Sequence, residues 1–225
     1  MTSIYQQALG TDFARLHPMI KRRFGLTSEA GLASVGRGTM SRVWHGKLFT
    51  LPFLLVGASR SIMFPEQAKD VPFTIENYAY KDGFGRETVT WVRTFSTRCR
   101  RRFDAYMVYS KKRACIVDYL GTHQHLAVDL QMSVAENGGM LIRSGAQRFY
   151  EGPLAFSFPM LFSGAAEVCE WFDEERGKFC IRVTVSNKVF GPLFGYEGEF
   201  EAEWLNVGPN KLPAHLKPRR EERRE

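Results

Sequence analysis

From Val71 onward, apolar and polar side chains alternate with the two-residue period of half-buried strands, and short turn-forming gaps interrupt the alternation. In VPFTIENYAYK, Phe73 and Ile75 oppose Thr74 and Glu76, and the turn DGFG at 82–85 leads into RETVTWVRTF, which predicts a hairpin. FDAYMVYS and ACIVDYL flank KKR, HLAVDLQMSV and MLIRSGAQRF flank AENGG, and EVCEWFDE and KFCIRVTV flank ERG. A last strand, GEFEAEWL, sets Phe200, Ala202 and Trp204 against Glu199, Glu201 and Glu203. The pattern predicts about ten strands. Gaps this short require antiparallel neighbours, because parallel pairs need crossovers of roughly a dozen residues. A flat sheet of that size would leave two long edges. The expected fold is therefore mainly β (α+β), an antiparallel meander that is strongly curved or closed into a lipocalin-like barrel.

Ahead of the strands, Phe13, Leu16 and Ile20 recur at helical spacing behind Thr11-Asp12, predicting an N-terminal helix within 3–24 that Pro18 bends or divides and Gly25 stops. The stretch TMSRVWHGKLFTLPFLLVGASRSIMFP reads as a strand through Val43 and Trp44, followed by a short buried helix or two strands between Pro52 and Pro65. Two segments, EGPLAFSFPMLFSG at 151–164 and VFGPLFGYEG at 189–198, carry Phe and Leu where a plain connector is polar. They either close the core or form a ligand lid or membrane-touching rim.

Composition sharpens this picture at a few points. With 44% hydrophobic residues and 18 Phe in 225 residues, the chain can build a large core, which excludes disorder as its general state. One β-rich domain over 1–208 is expected, followed by a charged, disordered tail at 209–225. Four cysteines without C-x-x-C spacing, an N-terminus without a signal-peptide layout, and an apolar run at 48–58 too short to span a bilayer point to the cytoplasm. The net charge of +7 is unevenly placed, at KRR 21–23, RCRRR 98–102, KKR 111–113 and the mixed tail KPRREERRE. Such clusters read first as solvated surface, although they can also dock phosphates or anionic head groups.

Candidate chemistry centres on GTHQHLAVDL at 121–130. On a strand, His123, His125 and Asp129 share one face, and Leu126, Val128 and Leu130 share the other. Imidazoles at i and i+2 sit ~7 Å apart at Cα, within reach of one metal ion if His45 or Glu76 supplied a third ligand. The plainer reading is the polar end of a strand, and no metal is expected. In ENYAY, Glu76, Tyr78 and Tyr80 share a face that would matter if it lined a cavity. Asp118 precedes the histidines, and Arg148, Tyr150 and Glu151 precede the first Gly-Pro-Leu segment, at strand ends where sites are built. The ligand-binding candidates are thus Glu76, Tyr78, Tyr80, His123, His125, Arg148, Tyr150 and Glu151. If the protein is an enzyme, the catalytic candidates are His123, His125, Glu76 and Asp118. There is no G-x-S-x-G and no P-loop, and no cofactor is expected.

The segments YQQALGTDFARLHP, WHGKLFTLPF, PFTIENYAYKDGFGRETVTWVRTF, IVDYLGTHQHLAVDL, RSGAQRFYEGPL and SNKVFGPLFGYEGEFEAEW resemble a bacterial domain family of unknown function, and the resemblance runs from about Ile4 to Trp204. Members occur alone or fused C-terminally to a saccharopine-dehydrogenase-like NAD-binding domain. The resemblance implies a place in small-molecule metabolism and an NAD-binding dehydrogenase-like partner. It assigns no site residues. This chain has no G-x-G-x-x-G after a strand, hence no NAD site of its own. The expected function is a small-molecule-binding module for an apolar or amphipathic ligand, lipids included. The alternatives are an enzyme with a His/carboxylate pocket acting on a small polar substrate, and peripheral association of Arg98, Arg100, Arg101 and Arg102 with an anionic membrane surface or, less favoured, nucleic acid.

Overall fold

Eleven strands pair antiparallel throughout in the computed structural model, which describes residues 2–158 and 163–225. They are β1 (Leu32–His45), β2 (Ala68–Lys81), β3 (Glu87–Ser96), β4 (Arg100–Ser110), β5 (Cys115–Leu120), β6 (Leu126–Val134), β7 (Met140–Glu151), β8 (Leu154–Phe158), β9 (Ala165–Asp173), β10 (Lys178–Asn187) and β11 (Gly191–Asn206). Ten of them form a closed barrel in the order β1 to β7, then β9, β10 and β11. The ring shuts where β11 pairs with β1 from Asn206 opposite Leu32 to Phe194 opposite His45. Closure leaves no long edge unpaired, as the strand count anticipates. The extra strand, β8, folds back on β7 alone.

One face of the alternation fills the barrel. Phe73, Ile75, Val89, Phe95, Val128, Leu130, Ile181, Phe194 and Phe200 are buried in one cluster. Phe64, Phe73, Phe95, Phe194 and Tyr196 form a ring network with centroids 4.9 to 6.2 Å apart. On β1 the inward side is opened by glycine: a Cβ on Gly36 would come within 2.6 Å of the Phe200 ring and 2.7 Å of Ile75.

The N-terminal segment plugs the end of the barrel where β6 turns into β7. Pro18 divides the expected helix, giving α1 (Ile4–Leu9), a 3-10 turn at Gly10–Arg15 and α2 (Pro18–Phe24). Ser3 caps α1 by accepting from the Gln6 amide, and the His17 ring accepts from the Met19 amide ahead of α2. Ile4, Tyr5, Leu16, Ile20 and Phe24 all point into the core. The plug also carries a charge inward: Arg23 on α2 pairs with Glu170 on β9, both almost fully buried, and donates to Ser34 Oγ at 3.0 Å. At the opposite end, between β1 and β2, lies α3 (Leu51–Ser59). The sequence expectation of a buried helix there holds for Leu54 only, since Phe53, Leu55 and Val56 are 76%, 57% and 70% exposed.

The tail differs from its expectation of disorder. After β11, residues 207–225 run along the outer wall: Tyr106 Oη donates to the Leu216 carbonyl at 3.1 Å, and Tyr119 Oη to the Arg224 carbonyl at 3.0 Å. Two outward apolar groups, Ala33, Val35, Tyr78 and Val92 beside Leu216, and Tyr106, Val108, Val117, Tyr119, Ala127 and Tyr150, need this cover. Some of the mixed charges pair with one another, Glu222 with Arg220 and Arg224. Burial works against the Glu222 carboxylate, but Arg224 and Arg220 hold its pKa down at about 2.

Removing one member of a buried ion pair strands the other, so Arg23→Ala should cost about 3–5 kcal/mol. Arg23→Met combined with Glu170→Leu should recover most of that loss. Denaturant unfolding of the three proteins measures both effects.

Candidate functional site

The barrel wall opens at β7. Residues Met140–Arg143 pair with Glu170–Glu167 of β9, but residues Gln147–Glu151 pair on that side with Phe158–Leu154 of β8 instead. A register shift against β6 accompanies the change, with Val128 facing Gln147 and Leu130 facing Ser144. Two residues of β6 thus span three of β7, a bulge at Gly145 and Ala146. The extra residue reverses the alternation. Ile142 and Ser144 point inward before it, and Gln147 and Phe149 line the opening after it. Side chains bridge the split: Ser144 Oγ accepts from the Ala166 amide at 2.7 Å, and Gln147 Nε2 donates to the Gly164 carbonyl at 2.5 Å.

Behind the split lies a cavity of about 110 Å³ lined by Trp91, Arg93, Phe103, Met107, Asp118 and Val128 among others. It runs into a wider pocket of about 520 Å³ at the mouth, lined by Phe53, Val56, Arg60, His123, His125, Phe149, Glu151 and Phe158 among others. Ile62, Met63, Leu120, Leu126, Gln147 and Gly164 line both. Most of the barrel interior is filled by side chains, so the usable space within the barrel is at its mouth rather than along the axis; a second, open groove of about 810 Å³ lies outside it between Tyr80–Gly83 and the tail.

The inner cavity has a polar end. Arg93 donates to the Phe103 carbonyl at 3.2 Å and to Tyr196 Oη at 3.1 Å, and its guanidinium lies 3.8 Å from the centre of the Phe103 ring. Tyr5 Oη accepts from Trp91 Nε1 at 2.9 Å and donates to Met107 Sδ at 3.4 Å, tying α1 to the cavity wall. Asp118 Oδ1 is buried without a hydrogen-bond partner among the described residues. Burial raises the Asp118 pKa to about 7 against the pull of Arg93, so at neutral pH the carboxyl is close to half protonated.

At the mouth, His123 and His125 lie in the loop before β6 rather than on the strand. Gln124 between them has φ 52°, which breaks the alternation, and its buried side chain accepts from the Glu222 amide. This loop is clamped to the exit of α3: the Thr122 amide donates to the Arg60 carbonyl at 3.1 Å. At Gly121, φ 76°, an added Cβ would lie 2.4 Å from that carbonyl. His125 Nε2 meets Glu151 at 2.7 Å, its ring is 5.5 Å from that of His123, and His123 Nδ1 is 3.0 Å from Thr122 Oγ1. Burial lowers both histidine pKa values, and the positive charge of Arg60 and Arg220 adds to the effect on each.

Of the residues singled out in the sequence, His123, His125 and Glu151 meet at the mouth, and Asp118 lies deeper inside. The others do not join them. Glu76, Tyr78 and Tyr80 face outward from β2, where Glu76 meets His215 of the tail at 3.1 Å and Tyr78 packs beside Leu216. Arg148 and Tyr150 also face outward: Arg148 pairs with Asp129 at 2.7 Å, and Tyr150 lies under Arg224. The apolar row Leu126, Val128 and Leu130 fills the interior, and this sends Asp129 to the outer wall. His45 bonds the Gly46 carbonyl, so neither suggested third metal ligand reaches the histidines. Among the described residues, no cluster of three or more His, Cys, Asp or Glu side chains could hold a metal ion. Sequence reading passed over Arg60, Arg93 and Gln147. Arg93 had a signal, being the one charge in the inward row Val89, Trp91, Arg93, Phe95.

Residues 16–200 match the model of a domain of unknown function, DUF4166. The chain belongs to that family. The DUF4166 chain is also similar to the uncharacterized protein YndH of Bacillus subtilis (strain 168), with 33% identity over 204 residues, covering 90% of this chain and 98% of YndH. The DUF4166 match takes in both parts of the pocket, from α3 through the histidine loop to β10.

The Asp118 shift predicts a pH dependence. A carboxyl whose pKa is raised on folding contributes stability that is fully present below its unfolded value and is lost as pH rises through about 7. Between about pH 5 and pH 8, the protein should lose on the order of 2–3 kcal/mol relative to Asp118→Asn. Urea unfolding of both proteins at the two pH values measures the difference.

Proposed function

We propose that this DUF4166 protein is a binding module for an amphipathic small molecule with an anionic head group, held at the barrel mouth. The observation that carries this reading is the continuity of the pocket of about 520 Å³ with the inner cavity, through a mainly apolar throat shared by Ile62, Met63, Leu120 and Leu126. The mouth volume falls within the range of ordinary small-molecule sites, in which apolar walls hold the ligand and a few polar groups orient it. The histidines and Gln147 supply hydrogen bonds. Arg60, with Arg219 and Arg220 close to the histidines, makes the field there positive, and Glu151 is the single acid in the lining. A carboxylate or phosphate therefore suits the outer position. The apolar part of the ligand runs inward along Leu120, Leu126 and Val128.

A fluorescent fatty acid such as cis-parinaric acid is a direct probe, because Trp91 on the cavity wall can transfer energy to it. We expect saturable one-to-one binding that Met63→Trp abolishes by filling the throat. Charge reversal at Arg60→Glu should weaken the acid by roughly threefold to tenfold while leaving the corresponding alcohol unchanged. Binding that is indifferent to Met63→Trp would sink the proposal. Mass spectrometry of molecules retained by protein purified from its native host would then identify the physiological ligand.

A further inference from the structure

The mouth end combines exposed apolar side chains with cations that have no ion-pair partner among the described residues. Five connections meet there: 46–67 containing α3, the β3–β4 turn at 97–99, the histidine loop at 121–125, the β7–β8 hairpin, and the turn at 188–190. Leu48, Phe53, Leu55, Val56, Leu154 and Val189 are each more than half exposed, and Phe49, Phe156 and Phe190 are 43% exposed. These side chains belong to one surface. Phe49 meets Phe190 at 5.4 Å, Phe156 meets Phe149 at 5.2 Å, and Phe53 and Phe149 line the same pocket. A contiguous apolar surface of this kind is costly in water and marks a contact face.

The charges on this surface identify what the face contacts. Residues 46–63, 152–158 and 187–193 contain Lys47, Arg60 and Lys188 and no carboxylate, and the acids that flank them, Glu66 and Glu151, are engaged by Arg101 and His125. Beside them stand Arg98 and Arg100 of the basic run, exposed and without an ion-pair partner among the described residues. The other two arginines of that run are spent within the protein, Arg101 on Glu66 and Arg102 on Asp104. Two copies of this face pressed together would oppose like charges at every edge. An anionic bilayer would instead take the apolar side chains into its interfacial layer and the cations against its head groups. No described helix is long and apolar enough to cross a membrane, and the exposed Phe53, Leu55 and Val56 of α3 are placed to enter an interfacial layer from the protein's surface.

We infer that the mouth of the barrel docks on an anionic phospholipid surface, with α3 and the flanking turns entering the interface and Lys47, Arg60, Lys188, Arg98 and Arg100 on the head groups. Docked this way, the pocket opens into the bilayer rather than into water.

Co-sedimentation of the full chain with phosphatidylcholine vesicles, with and without phosphatidylglycerol, tests this at low and high salt. We expect binding that requires phosphatidylglycerol and weakens with salt. Leu48→Ser with Leu55→Ser should weaken it by about tenfold or more, and Arg98→Glu with Arg100→Glu by a similar factor at low salt. None of these four residues lines the pocket, so parinaric acid binding and thermal stability should be unchanged in both variants. The inference is overturned by failure to sediment with either vesicle, by vesicle binding that ignores the Leu48/Leu55 replacement, or by a stable dimer that the same replacement dissociates.

Discussion

A strand has two edges, and each buried amide along them must find one partner. On β7 one edge is committed to β6 throughout, and the other changes partner from β9 to β8 between Arg143 and Gln147. Much of the mouth follows from this exchange. Where β7 leaves β9 the wall parts, and Ser144 and Gln147 replace ladder bonds with side-chain bonds across the split. The bulge at the same place turns Gln147 and Phe149 toward the gap, so the local break in pairing both opens the pocket and furnishes its lining.

The two ends of the barrel are built on opposite terms. At the plugged end, α1 and α2 bring Tyr5 and Arg23 into the core, and each finds a fixed partner in Trp91 or Glu170. At the open end, α3 buries Leu54 alone, and Asp118 behind the mouth keeps one carboxyl oxygen without a partner among the described residues. Burial raises the Asp118 pKa to about 7, and it lowers those of both histidines. Such groups are costly in an apolar setting unless a bound molecule completes their hydrogen bonding.

The barrel was legible in the sequence because alternation and turn chemistry are local, and ten short antiparallel strands leave few arrangements without exposed edges. Which face points inward was legible for β6 in outline: the Leu126, Val128, Leu130 row fills the core, and Asp129 is outside. Extending that alternation back to His123 failed, because the left-handed turn at Gln124 is a property of the loop. The grouping of Arg148, Tyr150 and Glu151 failed for a related reason. A bulge is defined by the partner strand, and nothing in SGAQRFYE alone says where the parity changes. The outward set Glu76, Tyr78 and Tyr80 looked like the lining of the barrel interior because it is polar and aromatic, but it lies against the C-terminal strap, Tyr78 beside Leu216 and Tyr80 in the open groove between β2 and residues 207–221. That strap read as disordered because what holds it to the wall, bonds from Arg86, Tyr106 and Tyr119 to its backbone carbonyls, comes from residues about a hundred positions or more away in sequence.

The pairing of β1 with β11 has a consequence for how the protein comes to be folded. Leu32 lies opposite Asn206, so the barrel cannot shut until nearly the whole chain is present. Contacts this distant in sequence are slow to form, since the entropy of closing so long a loop is lost before the contacts repay it. The hairpins from β2 to β5 can assemble early, but their inward Phe and Val rows stay open to solvent until the last long strand arrives. For this architecture the vulnerable moment is the interval before closure, when the aromatic interior is still an exposed sheet face.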